Sequence, residues 1–131
     1  MEAEEFQTKN PLALLVGIMQ SVARIFVKGP TMAKVKHIVL LKFKSSVADD
    51  QVNQVFDSLL DLSETIPGVE DYVSGANMSP EGLNNGATHA FVITFTDATA
   101  RDAYLVHPEH EKVKTLLLSA VDSVTVVDFE V

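Results

Sequence analysis

The fold of this 131-residue chain is decided by one stretch, VKHIVLLKF at residues 35–43. If this stretch is extended, alternate side chains point to opposite faces, because the side-chain period of a strand is two residues. One face is then apolar except for His37, and the other face mixes two lysines with Ile38 and Leu40. The stretch therefore predicts a β-strand that packs one face on a core and leaves a second face partly apolar.

Helical and extended patterns alternate along the chain that follows this strand. The pattern predicts a helix that begins with a capping box at residues 46–49 and ends at Pro67-Gly68. It also predicts a short helix followed by a longer one, with the boundary between them at His107-Pro108. Three further strands are predicted, at residues 69–74, 88–96 and 121–131. The order strand–helix–strand–strand–helix–strand predicts an α+β, ferredoxin-like βαββαβ domain. Its four-stranded antiparallel sheet carries its helices on one face, with the first and third strands adjacent.

The sheet face that points away from the helices is also expected to be apolar. We assign to it Ile38, Leu40, Ala90, Val92, Val124 and Val126. An apolar face of this size is normally covered by a partner. Two copies of the same sheet face cover each other in a symmetric dimer, so we expect a homodimer formed through the sheet faces.

Composition excludes several classes of function. The chain has no cysteine, which excludes disulfide scaffolds, thiolate metal sites and cysteine nucleophiles. Its net charge of −8 is unfavourable for binding nucleic acid, because phosphate affinity needs a basic surface. No nucleic-acid partner is expected.

Residues 1–31 look like an extension that precedes a complete domain at residues 32–131. The signals Asn10-Pro11 and Lys28-Gly29-Pro30 predict one apolar helix over about residues 11–28. This helix is too short to span a membrane and contains Arg24. We expect it to pack on its own domain or on a second subunit. Less favoured alternatives are a helix that binds a membrane surface or another partner, and a targeting segment.

The first five residues include three glutamates, whereas secretory and organelle signals begin with basic, acid-poor segments. We therefore expect a cytoplasmic location.

The four histidines and one tyrosine carry the visible chemistry of the sequence. His37 and His89 lie on the first and third strands and point toward the helices, so we expect them to lie close together. Tyr104 and His110 are expected to face them from the helical layer, around one apolar cavity. A neutral imidazole is well suited to act as a general base in such a cavity. Each histidine taken singly also fits a core or capping role, and His107 in particular fits a helix N-cap.

Several motifs resemble, in order and spacing, those of the stress-responsive A/B barrel domain family of dimeric α/β-barrel proteins. They are the strand at 35–43, Ile66-Pro67, Gly75, Gly86-x-Thr88-His89, and Tyr104-Leu105-Val106-His107-Pro108-x-His110. The resemblance covers residues 34–131 and includes plant polyketide cyclases of the olivetolic acid cyclase type, which form an aromatic acid by aldol closure.

Carried over to this sequence, the resemblance implies that His110 is a general base and that Tyr104 is its partner hydroxyl. It also implies that His37, His89 and Phe56 line a pocket for a small apolar organic ligand. Neither a metal nor a cofactor is implied, because aldol closure needs only a base and a donor to the developing oxyanion.

Three functions remain open at this point. The protein is a dimeric barrel that binds a ligand without catalysis, or a cofactor-independent cyclase, or, as the least favoured hypothesis, a metal protein that uses His37, His89 and His110. The substrate does not follow from the resemblance, since Ser74, Asn77 and Ala87 depart from residues frequent in plant members.

Overall fold

A computed structural model of the protein describes residues 33–131. The predicted extension at residues 1–31 and its helix at about 11–28 lie outside the described residues and stay predictions. Among residues 33–131, no helix is long and apolar enough to cross a membrane.

The described chain forms four strands and three helices in the predicted order. Their bounds are β1 Val35–Phe43, α1 Asp49–Thr65, β2 Val69–Ala76, β3 His89–Phe95, α2 Ala98–Leu105, α3 Pro108–Ala120 and β4 Val121–Glu130. The strands form one sheet in the order β2-β3-β1-β4, and every neighbouring pair is antiparallel. The predicted ferredoxin-like architecture and the adjacency of the first and third strands are confirmed.

One face of the sheet forms the core with the helices. On β1, the alternation predicted from the sequence is observed: Val35, Val39, Leu41 and Phe43 are buried, and so is His37. The helices contribute the buried apolar side chains Val55, Leu59, Leu62, Tyr104, Leu117 and Ala120. Because the core takes only this face of the sheet, the other face is left to solvent or to a partner.

The helix starts are fixed by local hydrogen bonds. The Asp97 carboxylate accepts a hydrogen bond from the Ala100 backbone N–H at 2.8 Å. His107 caps α3, as predicted, because its Nδ1 accepts from the Glu109 N–H at 3.0 Å. The capping box predicted at residues 46–49 is wrong by two positions. The N-cap is Ala48, whose N–H donates to the Gln51 side chain at 3.2 Å.

Strand β4 contains an irregularity that changes which side chains face the helices. Phe43 pairs with Val121, but Lys42 pairs with Ser123, so one extra residue is accommodated between them. Such a bulge reverses the alternation beyond it. The assignment of Val124 and Val126 to the outer sheet face is therefore wrong: they pair with Leu41 and Val39 and point toward the helices.

The outer face nevertheless carries a continuous apolar row. Val73, Val92, Ile38 and Val127 lie side by side across the four strands. Leu40 and Phe129 extend the apolar surface in the rows next to it. Val73 and Val127 are each more than half exposed in a single chain. The apolar outer face predicted from the sequence thus exists, with Val127 and Phe129 as its β4 members.

Gly68 is expected to be one of the least replaceable surface residues. Its φ is +92°, and a Cβ added there would lie 2.5 Å from the Ala100 Cβ in α2. Gly68→Ala therefore combines a left-handed backbone, which costs about 1–2 kcal/mol, with a displacement of α2. Gly82→Ala is the matched control, because Gly82 has φ +72° but no atom within 4 Å of the added Cβ. We expect thermal unfolding to show an additional loss of about 1–3 kcal/mol for Gly68→Ala. Equal losses of unfolding free energy in Gly68→Ala and Gly82→Ala would contradict a destabilising contact between the added Cβ and α2.

Candidate functional site

An apolar cavity of about 410 Å³ lies between the sheet and the helices. Its apolar walls include Val39, Leu59, Phe91, Val113, Leu117, Val124 and Val126. Its polar lining consists of His37, Tyr104, His110, Lys114 and Asp128. This combination of apolar walls and a few polar groups is typical of a small-molecule site.

His37 is held at the sheet side of the cavity by an acid. The ring is 6 % exposed, and its Nδ1 lies 2.7 Å from Oδ1 of Asp128 on the neighbouring strand β4. Phe91, Phe95 and Tyr104 surround it, with ring centroids 6.0–6.4 Å away. The Asp128 carboxylate can only accept at this contact, so Nδ1 of His37 carries a proton and donates it.

Tyr104 occupies the last turn of α2 and is almost completely buried. Its ring packs against Phe95, with the centroids 5.0 Å apart. Burial raises the pKa of Tyr104 well above its ordinary value, so the group remains a neutral O–H donor.

His110 lies in the first turn of α3, next to Tyr104. The two ring centroids are 4.8 Å apart. Its Nδ1 is buried and has no hydrogen-bond partner within residues 33–131, and the nearest carboxylate, that of Glu111, lies 3.9 Å away. Burial lowers the pKa of His110 below its ordinary value of 6.5, although the Glu111 carboxylate and the Leu105 backbone act in the opposite direction. His110 is therefore a neutral imidazole near neutral pH, with an unused ring nitrogen.

His89 and Phe56 lie outside this cavity. His89 pairs with Leu41 whereas His37 pairs with Ile93, so the two histidines are four residues apart along the sheet, about 13 Å. His89 instead packs between Phe43 and Phe56, with ring centroids 5.0 and 5.5 Å away. The expectation that His37 and His89 lie close together around one cavity is wrong, because adjacency of strands does not fix register.

This separation also bears on the metal hypothesis. His37, His89 and His110 do not converge on one point, and within residues 33–131 no three His, Asp or Glu side chains form a group that could hold a metal ion. The structure thus gives no support to the three-histidine site.

Three polar residues near the cavity were not found from the sequence. Asp128 contacts His37, Arg101 donates to the other oxygen of Asp128 at 2.6 Å, and Lys114 lines the cavity from α3. The last strand carries three acids, Asp122, Asp128 and Glu130, and its pattern did not distinguish Asp128 from the other two. The face to which the Asp128 side chain points depends on the bulge in β4. Nothing in the sequence around Arg101 indicated that Asp128 is its partner.

Comparison with known proteins now defines the family. Residues 35–131 match the Stress Responsive A/B Barrel Domain. The chain belongs to this family. The predicted family membership is confirmed.

Two curated relatives are similar over most of the domain. The chain is 32 % identical to the stress-response A/B barrel domain-containing protein HS1 of Arabidopsis thaliana over 103 residues, which cover 79 % of this chain and 91 % of HS1. It is 30 % identical to olivetolic acid cyclase of Cannabis sativa over 76 residues, which cover 58 % of this chain and 75 % of the cyclase.

A solved structure supports the same fold. It is a dimeric ferredoxin-like protein from Jannaschia sp. CCS1, with a TM-score of 0.69 and 31 % identity. The match covers 75 % of this chain and 99 % of the other. The chain is therefore similar both to a protein named as a cyclase and to a dimeric ferredoxin-like protein.

Proposed function

We propose that the cavity binds a small, largely apolar organic molecule that carries a hydroxyl or carbonyl oxygen. The observation that supports this most is the buried, unpaired Nδ1 of His110 beside Tyr104. Buried polar atoms are normally hydrogen-bonded, so an unpaired one in a residue that lines a cavity supports a polar partner on the ligand. The volume of about 410 Å³ lies within the usual range for small-molecule sites.

The protein acts as a homodimer in this proposal, joined through the outer sheet faces. The apolar row formed by Val73, Val92, Ile38 and Val127 provides the contact surface. The similarity to a dimeric ferredoxin-like protein supports dimer formation by this chain. The ligand cavity lies on the opposite face of the sheet, so dimer formation leaves it accessible.

A second candidate function is general-base catalysis without a cofactor. The similarity to olivetolic acid cyclase favours it, as does the juxtaposition of a neutral imidazole with a neutral phenol. His110 removes a proton from the carbon next to a carbonyl, while Tyr104 donates a hydrogen bond to the enolate oxygen that forms. In aldol closure the enolate carbon then attacks a second carbonyl carbon, a carbon–carbon bond forms, and the alkoxide oxygen takes up the proton. These steps need no metal.

Ligand binding can be tested with a matched pair of probes, para-pentylphenol and pentylbenzene. We expect calorimetry to show about tenfold tighter binding of the phenol near neutral pH, because its O–H donates to the free His110 nitrogen. Burial lowers the pKa of His110 below its ordinary value, so this preference should persist to a lower pH than it would with an ordinary histidine. It is lost as the pH falls through the lowered pKa, because the protonated ring no longer accepts.

His110→Ala should bind both probes equally, whereas His89→Ala, outside the cavity, should retain the preference. Failure of either probe to bind the unsubstituted protein would contradict the ligand site. A preference that increases at acid pH would contradict the role of neutral His110.

A further inference from the structure

Asp128 is held by two different side chains at once. Its Oδ1 contacts His37 Nδ1 at 2.7 Å, and its Oδ2 accepts from Arg101 at 2.6 Å. Arg101 is itself fixed, because its Nε donates to Asp102 at 2.8 Å. With a hydrogen-bond partner on each oxygen, the carboxylate has one favoured orientation, and that orientation places Oδ1 against His37.

We propose that Arg101 is a positioning residue that acts through Asp128 to hold the His37 ring and to weaken the attraction of that ring for a second proton. The importance of this effect for ligand binding or catalysis rests on the function proposed above. The effect itself rests only on the contacts of Asp128 with His37 and Arg101.

The electrostatic reason is the sharing of one carboxylate. A carboxylate next to an imidazole attracts a second proton to the ring, since it stabilises the imidazolium. The guanidinium on the other oxygen offsets the negative charge and weakens that attraction. The low exposure of His37 adds to the cost of charging it.

The other titratable groups around His37 do not reverse this balance. Tyr104 faces it from α2 as a neutral phenol. His110 and Lys114 line the same cavity from α3, and a lysine ammonium also opposes a positive charge on His37. Strand β3 and helix α1 contribute only apolar residues to the lining. Asp128 is thus the acid that touches His37, and Arg101 is the cation that binds it. Asp102 also binds Arg101, but its side chain is 68 % exposed, so solvent screens its charge.

Arg101 has a second consequence through its place on α2. It lies three residues before Tyr104, so the two side chains share one side of that helix. The bond from Arg101 to Asp128 therefore ties the helix that carries Tyr104 to the strand that orients His37. One interaction fixes both polar groups relative to each other.

The test is a ¹⁵N NMR titration of the histidine side chains in the ligand-free, full-length protein. This method distinguishes the charged ring from each neutral tautomer. We compare Arg101→Met, which keeps the aliphatic stem, with Arg101→Lys, which restores the charge. In Arg101→Met we expect the titration midpoint of His37 to move up by about half a unit or more. Arg101→Lys should return it most of the way, and Lys112→Met, which removes an exposed cation elsewhere, should leave it in place.

An unchanged midpoint in Arg101→Met would overturn the proposal, as would equal shifts in the Met and Lys variants, because volume rather than charge would then be responsible. Amide spectra establish that each variant is folded. Since no ligand is present, a positive result stands even if the phenol probe fails to bind. Conversely, binding of the phenol with no midpoint change would refute only the role of Arg101.

Discussion

Val92→Lys is expected to convert the protein from a dimer to a monomer at micromolar concentration. Val92 lies in the second position of the apolar row across the outer sheet face, between Val73 and Ile38. In a symmetric dimer the substitution places two unpaired ammonium groups in one interface. If each costs about 2 kcal/mol, the dissociation constant rises about 1000-fold. Light scattering of the unsubstituted protein and the variant measures the change directly.

Leu60→Lys provides the matched control, because Leu60 is also an exposed apolar residue but lies on α1, on the helical side of the sheet. This variant should remain dimeric. Monomeric unsubstituted protein, or a dimeric Val92→Lys variant, would contradict the sheet-face interface.

The fold could be predicted because its signals are local. The alternation at residues 35–43 fixed the face of every β1 side chain, and Pro67-Gly68 and His107-Pro108 marked the ends of elements that the structure confirms. The error at Val124 and Val126 has a physical origin. A bulge arises where two strands accommodate an extra residue, and this depends on pairing between Lys42 and Ser123, about 80 positions apart in the chain.

The candidate site was predictable only in part for a related reason. The direction of a histidine on a strand follows from alternation, so the inward orientation of His37 was accessible. The position of a histidine along the sheet depends on the register between strands. The observed register places His89 beside Phe43 and Phe56, away from His37. Asp128 and Arg101 join the site through contacts between distant segments, which leave no mark on local periodicity.

If His110 is a base, the protein should accelerate proton removal from carbon even in a simple ketone. Acetophenone is a suitable probe, because its carbonyl oxygen can accept from Tyr104 while its methyl group meets His110. Exchange of the methyl protons for deuterium is followed by NMR in heavy water. His110→Ala should lose about 10²–10⁴-fold of the accelerated rate, as expected for a lost general base. Tyr104→Phe removes one hydrogen-bond donor to the enolate oxygen and should lose about 10²–10³-fold.

Phe56→Leu is the control for both variants, because Phe56 lies with Phe43 and His89 outside the cavity and should leave the exchange rate unchanged. The pH profile supplies an independent check. Burial lowers the pKa of His110, so the rate should fall on acidification at a lower pH than an ordinary histidine would give. Exchange at the same rate in His110→Ala and in the unsubstituted protein would contradict catalysis by this residue. If His110→Ala also lost the preference for para-pentylphenol over pentylbenzene, the cavity would remain a binding site. His110 would then serve as a hydrogen-bond acceptor for the ligand.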